Sequence, residues 1–398
     1  MSKIEQLIQQ LCPEGVEFRR LGEVCVPLIK HTLTKGELID NGQYIVINSG
    51  REAYGKYNEY NNEGNAFTVA ARGEYAGFIN YFSERFYAGG LCYPYRTNNE
   101  RECLTKYVYY WLKHKETSIM EALVSRGSIP ALNKSDLDNF LIPLPPLPVQ
   151  QEIVRILDAF TELEAELEAE LEARKKQYAY YRDTLLSFEH DDPKVEWKRL
   201  GEIGTFYSGI TGKSKSDFTD GNAKFITYMN VYKNPALRLD LDNKVKINEG
   251  EKQRTLQYGD IIFTGSSETP DECGISSVIT EQPTEALYLN SFCFFLRLND
   301  PTLIVPDFAK HLFRSNELRK QIGKTASGVT RFNVSKKLME KVTIPLPPLS
   351  VQQEIVRKLD KFEALTSDLQ SGLPAEIEAR KKQYEYYRDK LLTFRVKN

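Results

Sequence analysis

The sequence predicts an α+β protein: two α+β domains separated by two long helices that form an antiparallel coiled coil, the whole related by a pseudo-twofold internal repeat. Three observations carry this expectation. A long segment occurs twice along the chain, each copy holds a helix too long for the core of one domain, and the stretches between the copies change to short β-like runs.

The repeat fixes the order of the parts. Residues 143–160 read PLPPLPVQQEIVRILDAF and residues 345–362 read PLPPLSVQQEIVRKLDKF, an offset of 202. Residues 173–188 (ARKKQYAYYRDTLLSF) return at 379–394 (ARKKQYEYYRDKLLTF), now at an offset of 206. A fainter echo pairs 17–24 (EFRRLGEV) with 196–203 (EWKRLGEI). The 398 residues then divide into a first domain at 1–142, a first repeated helix at 143–188, a second domain at 189–344 and a second repeated helix at 345–398. That length suits two ordinary domains and connecting material.

The first repeated segment is helical for stated reasons. Pro143, Pro145, Pro146 and Pro148 hold an extended lead-in, and from Val149 onward forty residues contain neither proline nor glycine. Ile153, Phe160 and Leu167 recur every seven residues with Ile156 and Leu163 between them; Leu171, Tyr178 and Leu185 resume that spacing after a four-residue step. This is a coiled-coil seam with a stutter. At 1.5 Å per residue such a helix spans roughly 60 Å, the length of a spacer. Its middle repeats ELEA at 162–165, 166–169 and 170–173. One reading is an exposed surface of good helix formers. The other is a ruler, because four residues add about 6 Å and about 40°, whereas a base pair adds about 3.4 Å and roughly 35°. The middle of the second helix, 363–378, is longer and contains Gly372 and Pro374, which predicts a break near 371–374 with helix on either side.

In the first domain, 44–48 (YIVIN), 66–71 (AFTVAA), 77–82 (GFINYF) and 85–95 read as strands and 105–123 as a helix. In the second, 224–230, 261–264, 275–280 and 291–298 read as strands and 307–322 as a helix. The loops mix polar, basic and aromatic side chains. Asn48, Ser49, Arg51, Lys56 and Arg72 lie among Tyr54, Tyr57, Tyr60 and Tyr75, and Lys213, Lys215 and Lys224 lie near Tyr207 and Tyr228. Arg and Asn can bridge two groups on a guanine or adenine edge, and Lys and Ser can hold phosphates. Tyrosine-rich loops also serve sugar-binding and protein-binding surfaces, so both readings stand on these residues.

Composition sets the remaining bounds. Hydrophobic residues make up 41% and charged residues 27%, a globular profile. The first ten residues (MSKIEQLIQQ) lack a leader pattern, and no run of about 18 apolar residues occurs, so a cytoplasmic protein without a membrane partner is expected. Cys12, Cys25, Cys92, Cys103, Cys273 and Cys293 are scattered, with no C-x-x-C pair, and read as reduced, mostly buried thiols rather than metal ligands. The net charge of −2 argues against a simple basic DNA-binding surface. By segment, 1–142 has 16 basic and 17 acidic residues, 143–188 has 5 and 9, 189–344 has 22 and 21, and 345–398 has 10 and 8. The acidic excess therefore lies in the first repeated helix, which leaves both domains able to present a basic face.

P-L-P-P-L-x-x-Q-Q-E-I-V followed by A-R-K-K-Q-Y-x-Y-Y-R-D-x-L-L, twice, around two dissimilar domains, resembles the specificity subunit of a type I restriction-modification system. Segments 58–65 (NEYNNEGN), 88–95 (AGGLCYPY) and 259–264 (GDIIFT) are similar to that family's target recognition domains. The resemblance implies that each domain reads one half of an asymmetric, bipartite site in double-stranded DNA. It also implies that the helices dock two methyltransferase subunits, and that restriction/translocase subunits join them. S-adenosylmethionine, ATP and magnesium would then belong to those partners and no cofactor to this chain. Gly372 and Pro374 depart from the uninterrupted second helix that the family leads one to expect.

No catalytic motif competes with a non-catalytic reading. Adenine methylation calls for [DN]-P-P-[YF], and Asn234-Pro235-Ala236 is the nearest approach. Residues 209–214 (GITGKS) imitate a phosphate-binding loop, but Tyr207 stands where its first glycine belongs, so a tight turn before a strand is expected there. Pro270-Asp271 and Pro306-Asp307 lack the downstream acidic-x-Lys pair of a metal nuclease. Two rivals remain: a scaffold whose domains bind proteins or glycans, and a self-sufficient DNA-modifying enzyme.

Overall fold

The computed structural model describes residues 3–367 and 372–397. Six helices organise the description: α1 (Lys3–Leu11), α2 (Thr105–His114), α3 (Leu147–Leu185), α4 (Pro306–Leu312), α5 (Leu349–Ser367) and α6 (Leu373–Leu391). The chain forms two compact units. One gathers the residues up to Glu168 with those from Ile377 onward, and the other runs Ala169–Glu376. Each unit therefore combines one globular domain with the front of one repeated helix and the back of the other. The fold class is mixed helix and sheet, with the internal repeat legible in both units.

Both units contain the same small device. In the first, Glu17–Arg20 pairs antiparallel with Leu141–Leu144, and in the second Glu196–Arg199 pairs with Thr343–Leu346. Each first strand turns into a single helical turn, where the Arg20 N–H donates to Glu23 at 3.1 Å and the Arg199 N–H donates to Glu202 at 3.0 Å. The R-L-G-E echo in the sequence is thus a self-capping strand end.

The sheets also correspond. The first unit has an antiparallel sheet ordered Cys25–Pro27, Cys92–Thr97, Ala66–Ala70, Ile79–Phe82. A three-stranded sheet accompanies it, in which Tyr44–Ile47 pairs parallel with Phe86–Ala88. The second unit repeats the pattern with Gly204–Ser208, Cys293–Leu298, Ile261–Thr264 and Ser276–Val278. Its parallel pair is Ala223–Ile226 with Leu287–Leu289. Phe67, Val69, Tyr95, Tyr107, Leu112 and Ile142 form the core of the first unit, joined by Ile153 and Leu157 of α3 and by Leu391 of α6. Phe263, Leu296, Phe308, Leu312 and Ile344 form the larger core of the second, joined by Leu186 just beyond α3 and by Ile355 and Leu359 of α5.

Several local expectations are corrected. The run 85–95 is two strands in different sheets, Phe86–Ala88 and Cys92–Thr97. Gly89 and Gly90 separate them, and a Cβ on Gly90 would lie 2.5 Å from Thr32 Oγ1, so this close passage needs glycine. Residues 105–123 form two helices that meet at Lys115. Residues 307–322 are likewise split, and the Asp183 carboxylate accepts from the Asn316 N–H that opens the second piece (3.0 Å). The run 224–230 is a strand only to Ile226. Thr227 then caps a helix, its hydroxyl accepting from the Asn230 N–H. Residues 209–214 follow a strand and lead into a 3₁₀ turn, Lys215–Phe218, rather than preceding a strand. The second repeated helix is interrupted: α5 ends at Ser367, and α6 starts at Leu373 with Pro374 in its first turn, where a missing N–H costs nothing. Ser371 lies outside the described residues.

Candidate nucleic-acid interface

The interface is built on a joint that occurs in both units. Gln150 of α3 is buried; its amide donates to the Glu102 and Pro145 carbonyls, and its oxygen accepts from the Leu104 N–H at 2.9 Å. Gln352 of α5 makes the same three bonds to Leu303, Pro347 and Val305. Two turns further on, Asp158 accepts from Lys106 (2.8 Å) and Tyr110 (2.5 Å). Its counterpart Asp360 meets Lys310 (2.9 Å) and His311 (2.8 Å). His311, Asp360 and Glu363 converge closely enough to resemble a metal site, yet Lys310 Nζ already bridges Asp360 and Glu363. Burial works against ionisation of Asp360, but bonds from His311 and Lys310 hold its pKa below the usual range.

Helix-on-helix contacts repeat as well. Phe160 stacks on Tyr387 with ring centroids 5.5 Å apart in the first unit, and Phe362 stacks on Tyr181 at 5.2 Å in the second. From Phe160 to Glu168 along α3, the α6 partners run backward from Tyr387 to Lys381, so these helices are antiparallel. Of the residues read as a seam, Ile153 and Ile156 pack into the first domain's core, and Tyr178 and Leu185 into the second's. Phe160 packs on α6, and Leu163, Leu167 and Leu171 are half-buried. The helix ends therefore serve as core elements of the domains.

On this scaffold each unit presents a short hairpin linked to the residues just past an inner strand of its four-stranded sheet, Ala66–Ala70 in the first and Ile261–Thr264 in the second. In the first, Val124–Ser125 pairs with Ala131–Leu132, leaving Arg126 and Ile129 exposed at the tip. Arg72 is bridged to Ala131, and the Gly73 N–H donates to the Pro130 carbonyl, which fixes the hairpin to the sheet. Arg51 lies over the Tyr75 ring at 5.0 Å, and Asn48 accepts from the N–H of exposed Leu91 at 2.8 Å. Ser49 faces Gly73. Of the candidate residues, Arg72 is thus tied to the hairpin and Ser49 lies beside Gly73, while Asn48 and Arg51 make their contacts with Leu91 and Tyr75. Lys56 sits instead on a strand of the three-stranded sheet, opposite Ile45.

In the second unit the hairpin Ala326–Ser327 and Phe332–Val334 is joined by Ser266–Ser267, and Val329 at its tip is almost fully exposed. Arg331 Nε and Nη2 both donate to Ser266 Oγ (3.1 and 2.9 Å), holding the guanidinium 5.9 Å from the ring of exposed Phe292. Tyr228, Met229, Ser267, Phe292, Thr330 and Arg331 line a cavity of about 680 Å³. None of the three lysines singled out in this domain lines it. Lys213 is buried in an ion pair with Glu251 (2.6 Å), whose pKa it holds down at about 2. Lys224 pairs with Glu285 (2.7 Å), and Lys215 opens the 3₁₀ turn.

Sequence reasoning missed Arg126, Ile129 and Leu91 in one unit and Ser266, Phe292 and Arg331 in the other. A signal existed: 124–132 and 326–334 stand at the same offset of 202 as the proline-rich repeat that follows them. All six cysteines are buried and unpaired, and burial pushes the Cys92, Cys103 and Cys293 thiols up to about 12. Among the described residues no helix is long and apolar enough to cross a membrane.

Two units of one plan, with matching helix joints and unlike hairpin faces, define a duplicated binding scaffold. The family described as the type I restriction modification DNA specificity domain matches residues 13–173 and again 194–379. The chain belongs to the family of type I restriction-modification specificity subunits. It is 36% identical over 313 residues to the Escherichia coli EcoR124I/EcoR124II specificity subunit, covering 74% of this chain and 72% of that one. It is 30% identical over 347 residues to a putative specificity subunit of Haemophilus influenzae, covering 84% of each. The fold matches a solved S subunit from M. genitalium with a TM-score of 0.55 at 18% identity, covering 95% of both chains. It also matches a chain from a structural study of assembly and conformational transition in a type I R-M system (TM-score 0.60, 20% identity, 96% and 98% covered).

Proposed function

We propose that this chain is the non-catalytic, cytoplasmic DNA-reading subunit of a type I restriction-modification enzyme, each unit recognising one half of an asymmetric bipartite site. The observation that carries this reading is the contrast within the repeat. The Gln joint recurs bond for bond and an aspartate–lysine pair recurs two turns beyond it, while Arg72, Leu91 and Ile129 give way to Ser266, Phe292 and Arg331 at the hairpin faces. A scaffold kept constant under unlike faces suits two readers of unlike sequences. The exposed donors of Arg126 and Arg331 suit guanine edges, while Arg51, Lys56, Lys215 and the hydroxyl groups suit phosphates.

Methylation and cleavage then fall to partners: two methyltransferase subunits carrying S-adenosylmethionine, and restriction/translocase subunits using ATP and magnesium. A hybrid carrying a foreign 189–344 segment should alter one half of the recognised site and leave the other intact; simultaneous change of both halves contradicts the reading. Deleting one ELEA unit should shift the preferred spacing and neither half-site, and unchanged spacing removes the ruler. A protein- or glycan-binding scaffold instead predicts no salt-dependent affinity for duplex DNA by the assembled complex.

A further inference from the structure

We propose that Arg314 and Arg319 are positioning residues for recognition by the second unit: two guanidinium groups that do not line the cavity of Tyr228, Tyr232, Glu272 and Arg331, yet fix its wall through main-chain carbonyls. The inference rests on the DNA-reading assignment above and names residues that act on recognition through others.

The wall consists of two short elements. The helix Tyr228–Lys233 contributes Tyr228, Met229 and Tyr232, and the 3₁₀ turn Pro270–Glu272 contributes Glu272. Tyr228 and Tyr232 stack with ring centroids 6.1 Å apart. The Tyr228 hydroxyl donates to the Ser266 carbonyl at 2.9 Å, and the Tyr232 hydroxyl donates to the Glu272 carboxylate at 2.6 Å. Ser266 also props Arg331, so the wall and that arginine share one anchor. Neither element holds itself firmly. So short a helix leaves its final carbonyls without partners of its own, and the turn is closed by the bond from the Cys273 N–H to the Pro270 carbonyl.

The two arginines supply those partners. Just beyond α4, Arg314 Nη2 donates to the carbonyls of Val231 (3.1 Å), Tyr232 (3.2 Å) and Asn234 (3.2 Å), while its Nε donates to that of Ser276 (2.8 Å) on the edge strand Ser276–Val278. In the helix Asn316–Gly323, Arg319 donates to the carbonyls of Asp271 and Cys273, which flank Glu272, at 2.8 and 2.6 Å, and to that of Gly274 at 2.6 Å. Both residues are half-buried, and burial lowers the pKa of each, that of Arg314 to about 10. A plain tie from helix to edge strand does not require this. At the spacing that relates Tyr110 to His311, the first-unit match of Arg314 is Lys113, which donates to the Ile79 carbonyl on its edge strand at 3.1 Å and pairs with Glu116 at 2.6 Å. The second unit carries an arginine fork there, and the added bonds run to the end of the helix that bears Tyr232. This region is in turn seated on the back of α3, by the Tyr178 hydroxyl at His311 Nδ1 (2.9 Å) and the Asp183 carboxylate at the Asn316 N–H. The wall thus takes its position from the long helix of its own unit.

The test uses the complete complex, with the recognised sequence taken from the methylated adenines of the wild-type host. The measured quantity is the Kd for duplexes substituted at single positions divided by the Kd for the cognate duplex. Arg314→Lys and Arg319→Lys keep the charge and lose the fork. Each should lower that ratio by about tenfold at positions in one half-site, with the ratios in the other half and the salt dependence of non-specific binding as in the wild type. A lost structural tie alone reduces the folded fraction, which scales both affinities equally and leaves the ratio where it was. If a lysine variant does not assemble, Tyr232→Phe, which removes only the hydroxyl bonded to Glu272, should lower the ratio in that half by about threefold. Unchanged ratios in the assembled variants, or equal loss in both halves, overturns the proposal. If exchange of residues 189–344 alters one half while these variants do not, only the positioning claim is lost; if that exchange also leaves both halves unchanged, the DNA-reading assignment falls with it.

Discussion

The two units share their inside and differ at their outside. Gln150 and Gln352 make the same three bonds, the stacked pairs Phe160–Tyr387 and Phe362–Tyr181 recur, and Asp158 and Asp360 each take a lysine, with Tyr110 beside it in one unit and His311 in the other. The hairpin faces share only their backbone plan. The difference teaches where the constraint lies. A buried glutamine that satisfies three backbone groups tolerates almost no replacement, whereas an exposed hairpin tip can change side chains at little cost to the fold.

The comparison sharpens first at the glutamines. Gln150→Ala and Gln352→Ala each strand one N–H and two carbonyls, so each should destabilise its own unit by about 3 kcal/mol or more, and by similar amounts. Trp111 and Trp197 place one tryptophan in each unit, so urea unfolding followed with the other one replaced by Phe reads them separately. A large effect at one glutamine and none at the other would break the equivalence. The aspartates should differ in a defined direction. Lys310 is far more buried than Lys106 (side chains 8% and 33% exposed), so Asp360→Asn should cost about 2 kcal/mol and Asp158→Asn about 1. The smallest effect should come from acid. Hydrogen bonds from Arg155 and Lys3 hold Glu152 at a pKa of about 2, below the unfolded value of about 4.3. A depressed carboxyl contributes stability that is full above the unfolded pKa and fades as pH falls through the folded one. The α1 clasp should therefore loosen between roughly pH 4.5 and 2, seen as faster amide exchange over α1 and the start of α3.

Much of this architecture was legible in the chain. The proline lead-in, the forty-residue helix and the break before Pro374 follow from local backbone chemistry, and the duplicated topology follows from the repeat. What stayed hidden depends on contacts distant in sequence. Gly89-Gly90 reads as a weak interruption until Thr32 is seen pressing on it. Nothing in the charge pattern says that Lys213 is spent on Glu251, or that Arg331 is propped by Ser266 beside Phe292. In the first domain the residues read as DNA contacts, Asn48, Ser49, Arg51 and Arg72, lie on segments that follow the strands Tyr44–Ile47 and Ala66–Ala70. In the second domain the corresponding turns carry serine and phenylalanine, which charge-based reasoning passes over.

The claim of two independent readers on one repeated scaffold is tested most directly by mapping methylated adenines across the genome of a host carrying the complete system with Arg331→Ala. The account predicts that one position in one half of the recognised sequence becomes degenerate, a loss of about 1–3 kcal/mol in discrimination, while the other half and the spacing between them stay as in the wild type. Relaxation of both halves together, or a shifted spacing with both halves intact, would contradict it.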